Sequence, residues 1–270
     1  MYERLVCLAR FSALYSSSKG NCIFIGGSGG SILIDAGVSA KKIEYALGEI
    51  GEQVESVKAI FVTHEHTDHI NGLRAFAGRY GIKVFSSLGT LDALANSGHL
   101  NGKFEAQPID SRGVEAAGME IIPFRTCHDC NEGLGYVIHT PDGRKIAVAT
   151  DLGHYSQEIK NAISGCDLVL IESNYDRKML MNGPYPHSLK CRISSGEGHL
   201  SNDECALAAS ELVNSGTTRF ILGHISAENN LPELAYKTSL NALCGAGGKL
   251  GCDFTLEVAP RLSPMKKILF

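Results

Sequence analysis

The chain has 270 residues and a formal net charge of −4, from 25 Lys and Arg against 29 Asp and Glu. With 44% hydrophobic and 20% charged residues it has an ordinary globular composition, which excludes a largely disordered chain and a basic nucleic-acid coat. No apolar run approaches the ~18 residues of a membrane helix, and Glu3, Arg4 and Arg10 interrupt the apolar core that a signal peptide needs. We therefore expect a cytoplasmic protein without membrane contact.

The cysteines indicate the same compartment. Their number, nine, is odd, and they are spread along the whole chain. Cys127 and Cys130 form a Cys-x-x-Cys pair, but there is no second such pair with which they could build a zinc ribbon. We expect reduced thiols, as is usual inside cells.

Short apolar runs rich in β-branched residues alternate with amphipathic stretches along the chain. The apolar runs predict strands at Val6–Ala9, Cys22–Ile25, Ile32–Ile34, Ala59–Val62, Lys83–Phe85, Met119–Phe124, Tyr136–His139, Lys145–Ala149, Leu168–Ile171, Arg219–Leu222 and Phe254–Val258. The amphipathic stretches predict helices at Ala40–Ile50, Ile70–Tyr80, Thr90–Ser97, Ser156–Ile163, Ser201–Asn214 and Leu231–Cys244. Between them, Asn174–Ser195 has the Pro, Gly and charge content of a long functional loop with short helices.

The order of these elements predicts the fold class. The first strands follow one another as a meander, broken by the glycine-rich turn at residues 26–30, and helices intervene only afterwards. This order favours two sheets between two helical layers over a single doubly wound sheet. We predict an α/β, four-layer αββα sandwich forming one domain over residues 1–270.

The most informative segment joins a strand to a cluster of metal-binding side chains. A hydrophobic strand ending at Val62 runs into His64, His66, Asp68 and His69, four candidate ligands within six residues. In an extended or turn conformation the first two point to one side, while the last two face a second point nearby. Imidazoles and carboxylates suit Zn²⁺, Mn²⁺ or Fe, and two such ions can clamp the attacking and leaving oxygens of a hydrolytic displacement.

This pattern resembles the signature of the metallo-β-lactamase superfamily, and the resemblance covers the full length. It implies a sandwich of two mixed β-sheets flanked by helices, with two divalent metal ions per chain, Zn or Mn, with Fe possible. One metal is then held by His64, His66 and His128, the other by Asp68, His69 and His224, with Asp151 between them. Asp35, which follows a strand, is better placed to orient a ligand histidine.

Two of these assignments have alternatives within the sequence. His139 and His154 lie near His128, although His139 belongs to a strand and His154 opens a helix. Asp151 begins a glycine-containing turn, where an aspartate is also a common helix cap.

Three further motifs resemble the small bacterial group of this superfamily called WalJ or YycJ. They are Ser16–Cys22, Gly183–His187 with Lys190 and Arg192, and Gly198–Asn202. The resemblance implies a 5′-to-3′ exonuclease acting on double-stranded DNA ends. It implies no protein partner.

The residue types in these loops suit phosphate binding. Serine-rich Gly-Asn turns offer hydroxyls and backbone N–H groups, and the loop 174–192 is locally basic in an acidic protein. We predict substrate contacts from Ser17, Ser18, Asn21, Tyr185, His187, Lys190, Arg192, Ser201, Asn202, Ser226 and Asn229. We expect Asp68 or Asp151 to hold the attacking water, and His199, near a helix N-terminus, to bind phosphate or protonate the leaving group.

Two other functions remain open at this point. The same dinuclear centre serves hydrolases of small-molecule phosphodiesters or thioesters, because the fold by itself does not give the substrate. A binding module that has lost catalysis is the other alternative. The sequence leaves open the physiological metal, DNA against RNA, strand polarity and oligomeric state.

Overall fold

The computed structural model describes residues 8–100 and 102–270 of the chain. Half of the strand predicted at Val6–Ala9 therefore lies outside the described residues, and its other half, Leu8 and Ala9, precedes the first strand of the structure. Among the helices that are described, none combines the length and the apolar character needed to cross a membrane.

The first sheet is built mainly from the N-terminal half of the chain. Its strands are β1 (Arg10–Ser17), β2 (Gly20–Gly27), β3 (Gly30–Ile34), β4 (Val57–Phe61), β5 (Lys83–Ser86), β6 (Ala106–Pro108) and β14 (Ile268–Leu269). Their order is β14-β1-β2-β3-β4-β5-β6. The sheet is antiparallel from β14 to β3 and parallel from β3 to β6, so Ile32 pairs with Ile25 on one side and Ala59 on the other.

The second sheet repeats this plan with the later strands. They are β7 (Val114–Ala116), β8 (Met119–Arg125), β9 (Leu134–His139), β10 (Lys145–Ala149), β11 (Leu168–Glu172), β12 (Arg219–Gly223) and β13 (Thr255–Val258). Their order is β13-β12-β11-β10-β9-β8-β7. Pairing is antiparallel from β7 to β10 and parallel from β10 to β13.

Helices connect the parallel strands of both sheets. They are α1 (Ala40–Glu49), α2 (Thr67–Ile70), α3 (Leu73–Tyr80), α4 (Leu88–Asn96), α5 (Gln157–Ile163), α6 (Arg177–Asn182), α7 (His187–Ile193), α8 (Asn202–Asn214) and α9 (Pro232–Gly245), with a 3₁₀ turn at Val54–Ser56. Serine side chains cap three of them, because Ser87, Ser156 and Ser201 each accept a hydrogen bond from a backbone N–H in the first turn. The short α6 and α7 lie within the predicted functional loop.

Three hydrophobic clusters fill the spaces between four layers. The first packs α1, α3 and α4 on one sheet, the second lies between the sheets, and the third packs α5, α8 and α9 on the other sheet. Along β3, Leu33 belongs to the first cluster, whereas Ile32 and Ile34 belong to the second. Strands buried on both faces explain the continuous apolar runs in the sequence. The predicted αββα class is confirmed.

The structure contains four strands that the predictions lack. In β1, Ser12, Ser16 and Ser17 interrupt the apolar pattern although all three are buried. The Ser12 hydroxyl, for example, donates to the carbonyl of Met265 at 2.9 Å. The strands β6, β7 and β14 have only two or three residues each, too few for a pattern. The predicted helix Ile70–Tyr80 is two helices, α2 and α3.

One edge of the sandwich collects polar residues that follow the strands. Asp35 comes after β3 and His64 after β4 in the first sheet. Asp151 comes after β10, Glu172 ends β11 and His224 comes after β12 in the second. The carboxyl ends of the parallel strands of both sheets therefore meet at this edge, which is where α/β folds commonly bind ligands.

Candidate metal centre

Backbone strain is concentrated at this edge. Among the described residues, four non-glycine residues have φ between 53° and 63°, and three of them are Asp35, Asp151 and His224. The left-handed conformation is unfavourable for residues with a Cβ atom and persists only where the surroundings enforce it. Each of these residues turns the chain sharply at the end of its strand, which points to a functional site.

Three histidines form the first triad, comprising His64, His66 and His128. One nitrogen from each lies within 4.8 Å of those of the others. The Nδ1–H of His128 donates to the carbonyl of Gly198 at 2.8 Å, which leaves its Nε2 facing His66 Nδ1 at 3.3 Å. His64 Nε2 is buried and has no hydrogen-bond partner. Converging ring nitrogens without a shared acceptor fit a cation between them.

The second triad comprises Asp68, His69 and His224. Asp68 Oδ2 lies 3.4 Å from Nε2 of both histidines. The Nδ1–H of His69 donates to Asp35 Oδ2 at 2.7 Å, while Asp35 Oδ1 accepts from the N–H of Thr63 at 2.8 Å. Asp35 thus fixes the His69 ring with Nε2 directed at the triad.

Asp151 lies between the two triads. Its Oδ2 is 3.3 Å from Nε2 of His69, and its Oδ1 is 3.7 Å from Nε2 of His128. The Oδ2 atom is buried without a hydrogen-bond partner. A buried carboxylate with an unpartnered oxygen is suited to a nearby positive charge. Its position between the triads allows this carboxylate to serve a cation in either of them.

Burial keeps the first triad suited to metal binding. Burial lowers the pKa of His64 well below its ordinary value, and His69 and His128 lower it further. Burial also lowers the pKa of His66, with His128 adding to the effect. Neutral imidazole is the form that coordinates a metal ion.

Carboxylates dominate the electrostatics of the second triad. Burial by itself would lower the pKa of His69, but three carboxylates led by Asp35 raise it well above its ordinary value. Burial would also lower the pKa of His224, but Asp151, Asp68 and Glu172 raise it to about 10. Burial would raise the pKa of Asp68, whereas His69 and His224 hold it far below its usual range. This part of the site attracts positive charge, as a divalent cation site must.

Glu172 is a fully buried carboxylate that the predictions do not include. Its Oε1 accepts from Nδ1 of His199 at 2.8 Å and from Nδ1 of His224 at 2.9 Å. Its Oε2 accepts from the N–H groups of Leu152 and Leu200. Burial would raise its pKa, but the two histidines lower it. An acidic residue ending a buried strand, as after β3 and β10, is the signal in the sequence that could have found it.

Asp129 is a second residue that the predictions do not include. Its Oδ1 lies 3.4 Å from Nε2 of His128 and 4.0 Å from Nε2 of His66. Its other oxygen accepts from the Nε–H of Arg192. Burial would raise its pKa, but Arg192 and His128 lower it. The ion pair ties α7 to the first triad.

The two histidines that the sequence offered as alternatives to His128 lie outside the cluster. Nδ1 of His139 pairs with Glu120, and Nδ1 of His154 donates to the carbonyl of Gly196. Burial raises the pKa of the Cys130 thiol to about 12, and no cysteine joins a metal-binding group among the described residues. The cluster therefore consists of the seven histidines and aspartates named from the sequence, with Glu172 and His199 beside them.

Members of both triads line one cavity of about 760 Å³. Six of the predicted substrate-binding residues line it, together with His199, and they are Ser17, Ser18, Tyr185, Arg192, Ser226 and Asn229. Five others do not, and they are Asn21, His187, Lys190, Ser201 and Asn202. The predicted contacts are therefore divided between residues that face the cavity and residues that support its wall.

The five residues away from the cavity bond to the protein itself. Asn21 Nδ2 lies 3.3 Å from Asp68 Oδ2, so it supports the second triad. The Ser201 side chain caps α8, where the capping box with Glu204 occupies its hydroxyl. Asn202 bonds to Ser173 and Asn230, Lys190 to the carbonyl of Met181, and His187 lies next to Cys191 on α7. For Ser201 and Asn202, burial and these bonds argue against the predicted substrate contact.

Comparison with known proteins adds to this geometry. A family model described as a beta-lactamase superfamily domain matches residues 31–225. The chain is 34% identical over 263 residues to exodeoxyribonuclease YycJ of Bacillus anthracis, covering 95% of this chain and 97% of that protein. It is 36% identical over 249 residues to exodeoxyribonuclease WalJ of Streptococcus pneumoniae serotype 2, covering 91% and 92%.

A solved structure extends the similarity to the fold. The metallo-beta-lactamase fold protein YhfI of Bacillus subtilis superposes with a TM-score of 0.71 over 96% of this chain and 99% of that one. At 12% identity this likeness concerns the fold alone. The family match, the two relatives similar over nearly their whole length and the His and Asp cluster agree with one another. The chain therefore belongs to the metallo-β-lactamase superfamily, with YycJ and WalJ among its relatives, and is a metal-dependent hydrolase.

Proposed function

We propose that the protein is an exonuclease that hydrolyses phosphodiesters from the ends of double-stranded DNA, in the 5′-to-3′ direction. The observation that supports this most directly is the placement of two triads, joined by Asp151, at the border of one cavity. Relatives named exodeoxyribonuclease match this chain over more than nine-tenths of its length, which supports the choice of DNA.

In this proposal the first triad would hold one divalent cation and the second triad another, and Asp151 would serve both sites. The donors are imidazoles and carboxylates, which suit Zn²⁺, Mn²⁺ or Fe²⁺. When bound, two such cations supply an activated water and neutralise the charge that develops on a phosphodiester. Asp35 orients His69, and Glu172 orients His224, because each carboxylate accepts a hydrogen bond from the Nδ1–H of its histidine.

Two side chains have further roles towards the substrate. We assign to Asp68, whose side chain is 24% exposed, the task of holding the attacking water by a hydrogen bond. We assign phosphate binding or protonation of the leaving oxygen to His199. Because its Nδ1 is bonded to Glu172, Nε2 is the ring nitrogen available to substrate.

The experiment compares linear DNA with covalently closed circular DNA of the same sequence, using protein loaded with Mn²⁺ or Zn²⁺. We expect nucleotides to be released from linear duplex, with a label at the 5′ end appearing first, while circular DNA stays intact. The variant Asp151→Asn is the control for contaminating nucleases. Equal degradation of circular and linear DNA, or RNA degraded faster than DNA, would overturn the proposal.

A further inference from the structure

The basic residues predicted to bind substrate are largely occupied by other groups. Arg192 pairs with Asp129, and Lys190 donates to the carbonyl of Met181 at 2.8 Å. Arg177 of α6 pairs with acidic residues of α8 and does not line the cavity. Apart from the bound cations, positive charge towards an anionic substrate is therefore sought in other side chains.

A different set of cations lines the cavity, and we call it the cationic wall. It comprises Lys19 in the turn between β1 and β2, Lys42 in α1, and Arg261 after β13. Among the described residues, no carboxylate forms an ion pair with any of the three side chains. Arg261 donates to the carbonyl of Ser226 at 3.4 Å, and Glu228 lines the cavity as well. The three side chains still bring positive charge, without an ion-pair partner, to one cavity of a chain of net charge −4.

An apolar surface of the same cavity comes from another segment, and we call it the apolar wall. It comprises Tyr185, just before α7, and Leu189 and Ile193 within α7, all half-buried. The Arg192 ion pair with Asp129 attaches this segment beside the first triad.

The Lys19 turn and the apolar wall lie beside different triads. The turn that contains Lys19 leads directly into Asn21, whose Nδ2 lies 3.3 Å from Asp68 Oδ2 in the second triad. The apolar wall lies next to the first triad, because Asp129 is 3.4 Å from His128. A bound molecule that crosses both triads would therefore have a charged part at one end and an apolar part at the other.

We infer that the strand being degraded enters this cavity unpaired, with its phosphates on the cationic wall and its terminal base on the apolar wall. This inference rests on the proposed function. A nucleotide has this division of charge, and aromatic side chains stack on bases of any sequence. The volume of about 760 Å³ is in the range of small-molecule sites and is matched by one or a few nucleotides. On this inference a duplex end opens before it is cut.

The first test measures the salt dependence of DNA binding by Lys42→Ala. The control is Lys41→Ala, because Lys41 is the neighbouring exposed residue of α1, has the same charge and does not line the cavity. Loss of one phosphate contact should make the log–log salt slope shallower by about 0.7 for a single strand, against about 0.9 for duplex. Lys41→Ala should leave the slope unchanged.

The second test measures the release of the terminal nucleotide by Tyr185→Ala. The control is Tyr45→Ala, because Tyr45 is an exposed tyrosine of α1 away from the cavity. Lost stacking should lower kcat/KM about 5- to 100-fold on an intact end, and much less when the terminal nucleotide is abasic. For the wild-type protein, two unpaired nucleotides at the attacked end should speed release relative to a blunt end.

The outcomes separate this inference from the proposed function. If the wild-type protein releases no nucleotides from any DNA, the proposed function fails. If the wild-type protein degrades DNA but Lys42→Ala and Tyr185→Ala behave like their controls, the inference is wrong while the function stands. Faster release from blunt ends than from unpaired ends would also overturn it.

Discussion

At the residue scale, the site is built from groups that cost the folded protein free energy without a ligand. Asp151 has a left-handed backbone and a buried oxygen without a partner, and His64 has a buried nitrogen without one. Such features persist where a bound ligand or the surrounding fold compensates for them. The residues are therefore arranged for binding cations. Replacing one of them should lower activity without a matching loss of stability.

The strain at Asp151 can be measured directly. Asp151→Gly and Asp151→Ala both remove the carboxylate, but alanine keeps the strain of about 1–2 kcal/mol that glycine relieves. In the presence of a chelator, we expect urea unfolding to give Asp151→Gly a free energy of unfolding about 1 kcal/mol higher than that of Asp151→Ala. At Ala149, the buried last residue of β10, glycine should instead destabilise the protein. Equal stabilities of the two Asp151 variants would contradict the argument.

The two buried aspartates at strand ends should differ in function. Asp151 lies close to both triads, whereas among the described residues the Asp35 carboxylate bonds to His69 and Thr63. Asp35→Asn should cost about 10- to 100-fold in metal affinity or activity. Asp151→Asn should cost more and should reduce the bound metal. Metal analysis and DNA cleavage rates on both variants check this, and equal mild losses would argue against a bridging position for Asp151.

The role assigned to His199 predicts loss of rate without loss of metal. His199→Ala should keep both ions and slow cleavage by about 10²- to 10⁴-fold, as for a lost general acid or a lost donor to the phosphate. His154→Ala is the matched control, because His154 bonds to the carbonyl of Gly196 outside the site. A missing ion in His199→Ala would make it a ligand, and an unchanged rate would remove it from the mechanism.

At the element scale, close packing between two segments positions the second triad. The N–H of Ala36 donates to the carbonyl of His69 at 2.9 Å, and the N–H of Gly72 donates to the carbonyl of Ala36 at 2.8 Å. A Cβ atom on Gly37 would lie 1.6 Å from the carbonyl oxygen of Asp68. The segment after β3 therefore fixes where α2 begins, and α2 presents two members of the triad.

This contact predicts opposite effects for two glycines. Gly37→Ala should push α2 away, cost about 1–3 kcal/mol of stability and lower both metal content and activity. Gly48, in α1, has open space around its Cβ position, so Gly48→Ala should stabilise the protein by about 0.5–1 kcal/mol with full activity. Urea unfolding and cleavage rates test both. A stable, fully active Gly37→Ala would show that the contact is not needed.

At the scale of the whole molecule, the candidate ligands come from both sheets. Those after β4 belong to the first sheet, and those after β8, β10 and β12 to the second. Cations bound there would link the two halves of the sandwich. Because an unfolded chain lacks the site, metal binding should stabilise the folded state, by about 2.7 kcal/mol at 100 times Kd.

We expect two ions per chain and a melting temperature that rises with free Zn²⁺ or Mn²⁺ and falls with a chelator. His128→Ala should lower the metal content and lose much of the rise in melting temperature with metal. His154→Ala should keep the metal content and the rise. One ion per chain at saturation, with full activity, would contradict the dinuclear assignment. Equal melting temperatures with and without metal would contradict the link between the halves.

Much of this protein was predictable from local sequence. Continuous apolar runs and amphipathic stretches predict most of the strands and helices, because periodicity reports which faces are buried. The spacing of His64, His66, Asp68 and His69 predicts a paired metal centre, because these donors lie within one turn after a strand. The prediction of one domain over residues 1–270 stays a prediction.

Only the tertiary structure decided the surroundings of these residues. Glu172 lies 27 residues from His199 and 52 from His224 in the chain, yet it bonds to both. Arg192 is a free cation in the sequence and an ion-pair partner of Asp129, 63 residues away, in the fold. Local pattern shows which chemistry a side chain has. Whether its charge is available to a ligand depends on partners that are distant in sequence and that folding alone brings into contact.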